Sequence, residues 1–337
     1  MTVRILVTGG AGYVGSVTVE RLVEAGHHVI VLDDLSTGHR SAVPPGARLV
    51  EGRYGDRDAI VALLGTERVD AVLHCAAKSI VGESVARPDV YYRENVVGGI
   101  ALLEALRAAG VRRLVLSSTA AVYGLPGVSP IPEDAPLAPI NPYGETKRTL
   151  EGAIRWYGSA YGLRSICLRY FNVAGASERN GEWHDPETHL IPLILAAAEG
   201  GPPITVYGTD YPTPDGTCIR DYIHVEDLAD AHLAALEATS PEDARTGPAD
   251  GSMPRALNLG TAGGYSVREV LAAAERVVGT PIPQRFGERR AGDPPALVAD
   301  ASRAGEVLGW RARRAELVEI VGSAWEWRRR HPEGYPA

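Results

Sequence analysis

The 337-residue chain is poor in cysteine, has no excess of basic charge and contains no long apolar run, and each shortage removes a class of protein. Cys75, Cys167 and Cys218 are odd in number and far apart. They form neither a Cys-x-x-Cys pair nor a disulfide framework, so a reducing, cytoplasmic home is expected. With 34 Lys and Arg against 42 Asp and Glu, the formal net charge is −8. That balance offers no face for nucleic acid, and a polyanionic ligand would have to be met by individually placed arginines. No stretch approaches the roughly 20 apolar residues that span a bilayer. The opening MTVRILVTGG has no apolar h-region and no cleavage-like site, so it does not read as a signal peptide. The expectation is a soluble protein with no membrane or nucleic-acid partner. A hydrophobic content of 45% is enough for one large core or two joined ones.

What is present is a repeated unit. Val3 to Val7, His28 to Leu32, Val69 to His74, Arg113 to Ser117 and Ser165 to Tyr170 are short, nearly continuous apolar runs. Between them lie segments of helical spacing, such as Ser16 to Ala25 and Ile100 to Ala109, stopped by Gly26 and Gly110. Apolar strands alternating with helices indicate a doubly wound α/β fold, a parallel sheet covered on both faces. After Asn172 the texture changes: Pro, Gly, Arg, His and aromatics crowd the loops. Residues 1–173 read as a Rossmann-type dinucleotide-binding domain, with 223–262 returning to it through a helix (His224 to Ala238) and a strand (Arg255 to Gly260). Residues 174–337 read mainly as a smaller mixed α/β substrate domain, irregular over 173–222 and 265–337. The polar run Thr239 to Pro254 reads as a surface loop.

Gly9, Gly12 and Gly15 form a G-x-x-G-x-x-G between the first strand and the first helix. Glycine there permits a tight turn and close approach of backbone to a pyrophosphate, and the helix N-terminus offers unpaired N–H groups. A tight glycine turn with no ligand is the competing reading. The second strand ends in Asp33-Asp34, 24 residues beyond Gly9. An acid at that place accepts hydrogen bonds from the adenosine ribose hydroxyls and repels a 2′-phosphate, so the cofactor reads as NAD rather than NADP.

Tyr143 and Lys147 stand at i and i+4, on one face of a helix that Asn141-Pro142 begins as N-cap and N1. A phenol is a poor base at neutral pH; a nearby ammonium and a positive nicotinamide ring would favour the phenolate. Tyr143 is then a candidate base for a sugar hydroxyl. Upstream, Ser117 to Gly124 follows a strand ending at the C-terminal edge of the sheet, where Thr119 can hydrogen-bond the reacting oxygen. A Tyr-x-x-x-Lys alone is common on solvated helix faces. The order glycine loop, strand-end Ser/Thr and Tyr-x-x-x-Lys is what makes the combination specific.

These features together resemble the extended short-chain dehydrogenase/reductase family, and within it the UDP-glucose 4-epimerases. Val81 to Val85, Arg169-Tyr-Phe-Asn172, the segment Tyr211 to His232, Arg289 to Asp293 and the ending His331 to Tyr335 carry the likeness, which runs from about residue 3 to 336. The resemblance implies an isomerase that takes hydride from C4 of a UDP-hexose onto NAD while Tyr143 takes the O4 proton. The transient 4-keto sugar turns over, and hydride returns to the opposite face. It implies that Lys147 tunes Tyr143 and holds the nicotinamide ribose, and that Thr119 orients O4. Cofactor contacts carry over to Gly9, Gly12, Tyr13, Val14, Gly15, Asp33, Asp34, Tyr54, Cys75, Ala76, Ala77, Lys147 and Tyr170. Substrate contacts carry over to Asn172, Leu190, Tyr207, Arg220, Arg290, Asp293 and Leu297, with Thr119 and Tyr143. No metal is implied. The bland readings are an Arg220–Asp221 salt bridge and, for Arg290, a solvated charge run. The likeness also implies a homodimer through helices near 89–109 and 142–160.

The chain departs from the family pattern at several places. Thr119 stands for Ser and keeps the hydroxyl. Arg53 stands where an acid reads the adenine, and Glu94 where an Asn lies near NAD. The lysine of Cys75-Ala-Ala-Lys78-Ser79 falls one residue early. Leu297 replaces a Tyr that narrows the pocket in members restricted to glucose and galactose, which leaves room for an N-acetyl group. A 4,6-dehydratase would need an acid and a base beside Thr119, where this chain has Ala120-Ala121. A UDP-uronate 4-epimerase and a non-catalytic NAD-sensing protein are the remaining alternatives.

Overall fold

The apolar runs form the strands of one parallel sheet. The computed structural model describes residues 2–243, 255–290 and 292–336. The strands, in chain order, are β1 (Arg4–Thr8), β2 (His28–Asp33), β3 (Ala47–Glu51), β4 (Ala71–His74), β5 (Arg113–Thr119), β6 (Arg164–Tyr170), β7 (Asn172–Ala174), β8 (Ile204–Tyr207), β9 (Ile219–Arg220), β10 (Tyr222–His224), β11 (Arg255–Leu259), β12 (Tyr265–Ser266), β13 (Gln284–Gly287) and β14 (Ala296–Leu297). The main sheet has the order β11-β6-β5-β4-β1-β2-β3, all neighbours parallel. The order reverses between β1 and β4, which opens a crevice at their C-terminal ends.

Both faces of this sheet are buried except at its half-exposed edge strand β3, which is why the other strands are largely apolar rather than alternating. On one face α1 (Tyr13–Glu24) is covered jointly with α8 (Val225–Ala238), where Val19, Leu22, Leu228, Ala231 and Leu236 meet Ile5, Val7 and Val31. On the other, α2 (Arg57–Glu67), α5 (Gly98–Ala109) and α6 (Pro142–Tyr161) pack Ile60, Leu64, Leu102, Leu106, Leu150 and Ile154 on Leu6, Ile30 and Val72. Short helices α3 (Val81–Ala86) and α4 (Pro88–Tyr91) lead into a π-helical stretch, Tyr92–Val97, that runs directly into α5. A π-bulge adds one residue to the turn and re-aims its side chains. Here it points Asn95 inward, where it bonds the Lys78 backbone twice at 2.9 Å and Thr146 at 3.1 Å.

A second core forms from α7 (Leu190–Ala198), α9 (Val267–Val278) and α11 (Leu317–Arg330), with Ile191, Ile194, Leu195, Val270, Leu271, Ile320 and Val321 at its centre. Three small sheets, β7 with β10, β8 with β13 and β12-β9-β14, edge it toward the crevice.

The expected strands and helices are present, with shifted ends: α1 begins at Tyr13 rather than Ser16, because Gly12 already supplies its N-cap. Strand β3 and helix α2 have no counterpart in the expected elements. The region after residue 264, read as irregular, contains α9, α10 (Ser302–Leu308) and α11. Moreover Ala304, Val307, Leu308 and Trp310 pack in the first core, not the second. Of the expected loop Thr239 to Pro254, Thr239 is instead the buried C-cap of α8. Its part from 244 to 254 lies outside the described residues.

Candidate active site

All of the residues expected to contact cofactor or substrate line one continuous cleft of about 1320 Å³. That is larger than the ~300–1,000 Å³ usual for a single small ligand, and suits two nucleotides end to end.

At one end lies the glycine turn. Gly9 has φ +73, and a Cβ there would stand 2.5 Å from the Ala76 nitrogen. At Gly15 it would fall 2.0 Å from the Gly9 carbonyl. Both positions therefore exclude a side chain on internal grounds. Gly12 does not: its Cβ would meet only the Gly9 oxygen, at 3.5 Å. It caps α1 without a side-chain bond, leaving the helix N-terminus facing the cleft. Asp33 is nearly buried and accepts from Ala11 N at 3.0 Å and Leu35 N at 2.9 Å. It ties the glycine turn to the strand end, and burial raises its pKa. Asp34 is the freer acid, bonded to Ser36 N at 3.0 Å. Ser36, Thr37 and Gly38 also line the cleft and were not singled out from the sequence, although they directly follow the strand-end acids.

Arg53 and Glu94, two separate departures from the family pattern, form an ion pair with each other, and Arg53 also lies 3.6 Å from Asp34. The positive charge on one wall is matched by a negative one on the facing π-helical turn. Tyr54 donates to the Glu94 carbonyl at 2.7 Å from the same wall.

The candidate catalytic side chains Thr119, Tyr143 and Lys147 line the same cleft. Asn141 Oδ1 caps α6 through Gly144 N at 2.8 Å, with Pro142 at N1 as expected. Tyr143 and Lys147 are buried one turn apart. Lys147 Nζ donates to the Ser117 carbonyl at 2.7 Å, the last turn of contact before β5 ends at Thr119. Thr119 Oγ1 accepts from Ala121 N at 3.1 Å, which leaves its own proton for the Tyr143 oxygen beside it. Burial pushes the phenol of Tyr143 up to about 12, against the lowering bond from Thr119. Lys147 is brought down to about 8, again by burial, with Cys75 and Glu151 opposing. In the protein alone desolvation dominates both groups, and the bond that lowers Tyr143 comes from Thr119.

One turn further along α6, Glu151 was missed. It is buried against Arg169, whose Nε and Nη2 reach its oxygens at 3.1 and 2.6 Å. Arg169 Nη1 bonds the Tyr123 hydroxyl at 3.0 Å, and Tyr123 bonds Asn258 at 2.7 Å. Ser118 completes the group by donating to Glu151. This network underlies the 119–124 turn that carries Thr119. Its sequence signal was the continuation of the i, i+4 spacing from Tyr143 and Lys147 to Glu151.

At the far end, Arg220 does not pair with Asp221. Its Nη2 donates to Asp293 at 2.9 Å, and Nη1 donates to the Ile219 and Pro294 carbonyls at 2.7 and 3.0 Å. Asp221 is fully buried and accepts from Thr261 N, Thr261 Oγ1, Ala262 N and Ala299 N. Asp221 stands between β9 and β10 and turns inward, away from the cleft that Arg220 lines. Arg290 is exposed, like Glu288 and Arg289, but its guanidinium sits 4.1 Å over the Tyr207 ring on the cleft wall. Leu297, in register with Arg220, and Leu190, the first residue of α7, complete this wall.

Residues 5–249 match the NAD dependent epimerase/dehydratase family. The UDP-glucose 4-epimerase of Streptomyces lividans is 52% identical over 337 residues, covering 99% of each chain. A crystal structure of UDP-glucose 4-epimerase from Brucella ovis in complex with NAD superposes with a TM-score of 0.91 at 45% identity, over 97% of this chain and 98% of that one. One from Bifidobacterium longum in complex with NAD⁺ and UDP gives 0.89 at 35%, over 98% and 100%. The chain belongs to the NAD dependent epimerase/dehydratase family.

Proposed function

We propose that this protein is an NAD-dependent isomerase that interconverts UDP-galactose and UDP-glucose by inverting C4 through a transient 4-keto sugar. The observation that carries the reading is the single cleft. A glycine turn with an acid-ended strand stands at one end, an arginine-lined wall at the other, and Thr119, Tyr143 and Lys147 between them.

Bound NAD supplies the acceptor and donor of the C4 hydride. The protein does the rest. Thr119, fixed by Ala121 N, orients O4 and donates to the Tyr143 oxygen. Tyr143 takes the O4 proton and later returns it. Burial alone keeps Tyr143 protonated, so positive charge brought beside it is what releases the base. Lys147, anchored to the Ser117 carbonyl, is placed to hold the nicotinamide ribose. Arg220 and Arg290 fix the diphosphate by charge-assisted bonds, while Asn172, Leu190, Tyr207, Asp293 and Leu297 enclose the UDP and sugar. The hexose is held by its nucleotide, which leaves the ring free to present either face.

In this reading residues 1–173 with 223–262 form the cofactor half, and 174–337 supply mainly the substrate half. Exposed Tyr92 and Val97 on the π-helical stretch and Trp156 and Tyr161 on α6 support a homodimer through these helices. The free thiols Cys75, Cys167 and Cys218 support a cytoplasmic home. Leu297 on the cleft wall favours a second substrate, UDP-N-acetylhexosamine, and equal turnover of the acetylated and plain sugars is the outcome expected from it.

The test is a coupled assay of purified protein on UDP-galactose without added NAD. UDP-glucose formation supports the reading; no product, even after NAD is added, overturns it. Tyr143→Phe should retain its cofactor and lose roughly 10²- to 10⁴-fold in rate. Wild-type rates in that variant would remove Tyr143 from the mechanism.

A further inference from the structure

The loop that leads into α7 carries a cluster which the epimerisation chemistry does not use. Glu182, His184, Glu187 and His189 lie within eight residues, and their ligand atoms fall within 4.8 Å of one another. His189 Nδ1 stands 2.8 Å from Glu182 Oε1 and 2.9 Å from Glu187 Oε1. His184 Nδ1 faces the same two carboxylates, at 3.5 Å from each. We propose that these four side chains bind one divalent transition-metal ion of the zinc class.

Three observations lead to it. First, ion pairing satisfies only part of the cluster: Glu182 and Glu187 hold His189 in its charged form, and His184 is left over. An imidazole nitrogen carries at most one proton, yet each Nδ1 faces two carboxylates. His184 Nδ1 is closed to solvent and makes no hydrogen bond. A buried polar atom without a partner costs about 1–3 kcal/mol and points to a missing one. Second, the spacing fits. Bonds of about 2.0–2.2 Å in a tetrahedron place ligands roughly 3.3–3.6 Å apart. The His–Glu separations of 2.8 to 3.5 Å need a small outward adjustment to reach that, and the widest pair of the four, within 4.8 Å, an inward one. Two carboxylates and two neutral imidazoles also balance a dipositive ion, and this mixed N/O set suits zinc. Third, the ligands are pre-oriented. The Glu182 and Glu187 side chains are 7% and 18% exposed. Glu187 Oε1 also accepts from Thr188 N and His189 N at 2.7 and 2.8 Å. The Trp183 carbonyl is 3.2 Å from His39 Nε2, which pins the loop to the first half of the chain.

The four residues line the same cleft as the reacting centre, and His189 is the N-cap of α7. An ion there fixes the cleft wall beside Leu190. It lies apart from Thr119, Tyr143 and Lys147 and takes no part in proton or hydride transfer.

The test uses untagged, full-length protein with its cofactor, stripped of metal by a chelator and dialysed against Zn²⁺. About one Zn²⁺ per chain is expected with a Kd below about 1 μM. His184→Asn and His189→Gln should each weaken binding by about 100-fold or more, while their metal-free melting temperatures and cofactor content match the parent. His189 is half-exposed, so its variant keeps the test intact if the other fails to fold. Less than a tenth of an ion per chain in the parent, or unchanged affinity in a folded variant, overturns the proposal. Either result leaves the UDP-galactose assay, and the reading tied to it, untouched.

Discussion

At the glycine-turn end of the cleft the chain presents chiefly backbone; at the other end it presents long side chains. Gly9, Gly12 and Gly15 turn within seven residues at the mouth of two adjacent strands. Arg220, Arg290, Asp293, Leu190 and Leu297 come from four separate stretches after residue 189, brought together by short strands and one helix end. A backbone site is rigid because its atoms belong to the sheet itself. A side-chain site is adjustable, since each contact can be exchanged without moving the fold. The first therefore should fail as a unit when altered, and the second contact by contact.

Substitutions can break that contrast. The largest effect is expected from Gly15→Ala, whose Cβ would overlap the Gly9 carbonyl. The melting temperature should fall by about 10 °C or more, or soluble protein should be lost. Gly12→Ala, three residues away, has room in the fold, so it should melt like the parent and lose most of its bound NAD, read as the absorbance ratio at 260 and 280 nm. Equal melting temperatures for the two variants would refute the distinction between a glycine kept for the turn and one kept for the ligand.

At the other end Arg220→Met should raise KM for UDP-galactose roughly 10- to 100-fold, with kcat little changed and NAD retained, as expected for loss of uniform binding. A fall in kcat with KM unaltered would place Arg220 at the reacting centre instead.

The smallest effect sharpens the boundary between the two. Lys147 is held at about 8, below its ordinary 10.5, by burial. Folding thus disfavours its charged form. The stability penalty is full below about pH 8, shrinks as pH rises toward 10.5 and is gone above it. Lys147→Met should be inactive yet melt roughly 2–4 °C higher than the parent at pH 7, with matched cofactor content, and the gain should close by pH 10.5. A lower melting temperature at pH 7 would show that the bond to the Ser117 carbonyl outweighs desolvation.

The same contrast governs what the sequence reveals. The sheet strands are legible because burial on both faces makes them uniformly apolar. Strand β3 (Ala47–Glu51) escapes that rule: it is the edge strand, half-exposed, and its ARLVE has no continuous apolar run. The glycine turn and Tyr143–Lys147 are legible because their geometry is local. The resemblance places Arg220 in the cleft, and the competing reading, a salt bridge with the adjacent Asp221, is not what the fold makes. Asp221, between β9 and β10, turns into the interior, and Asp293 comes from 73 residues away to meet Arg220, a pairing no local spacing reveals. The pairing of Arg53 with Glu94 was invisible for the same reason: each read as a separate departure, and only the fold sets them face to face.

Ser302–Trp310 return to the first core after the chain has built most of the second. Among the described residues, the path passes between the two cores five times: after β6, within β10, after β11, before α10 and before α11. A clamshell enzyme swings on one or two flexible straps. With five, the halves are cross-braced like the jaws of a fixed gauge. The cleft's aperture is then set by what projects from its walls, Leu297 among them, rather than by how far they close.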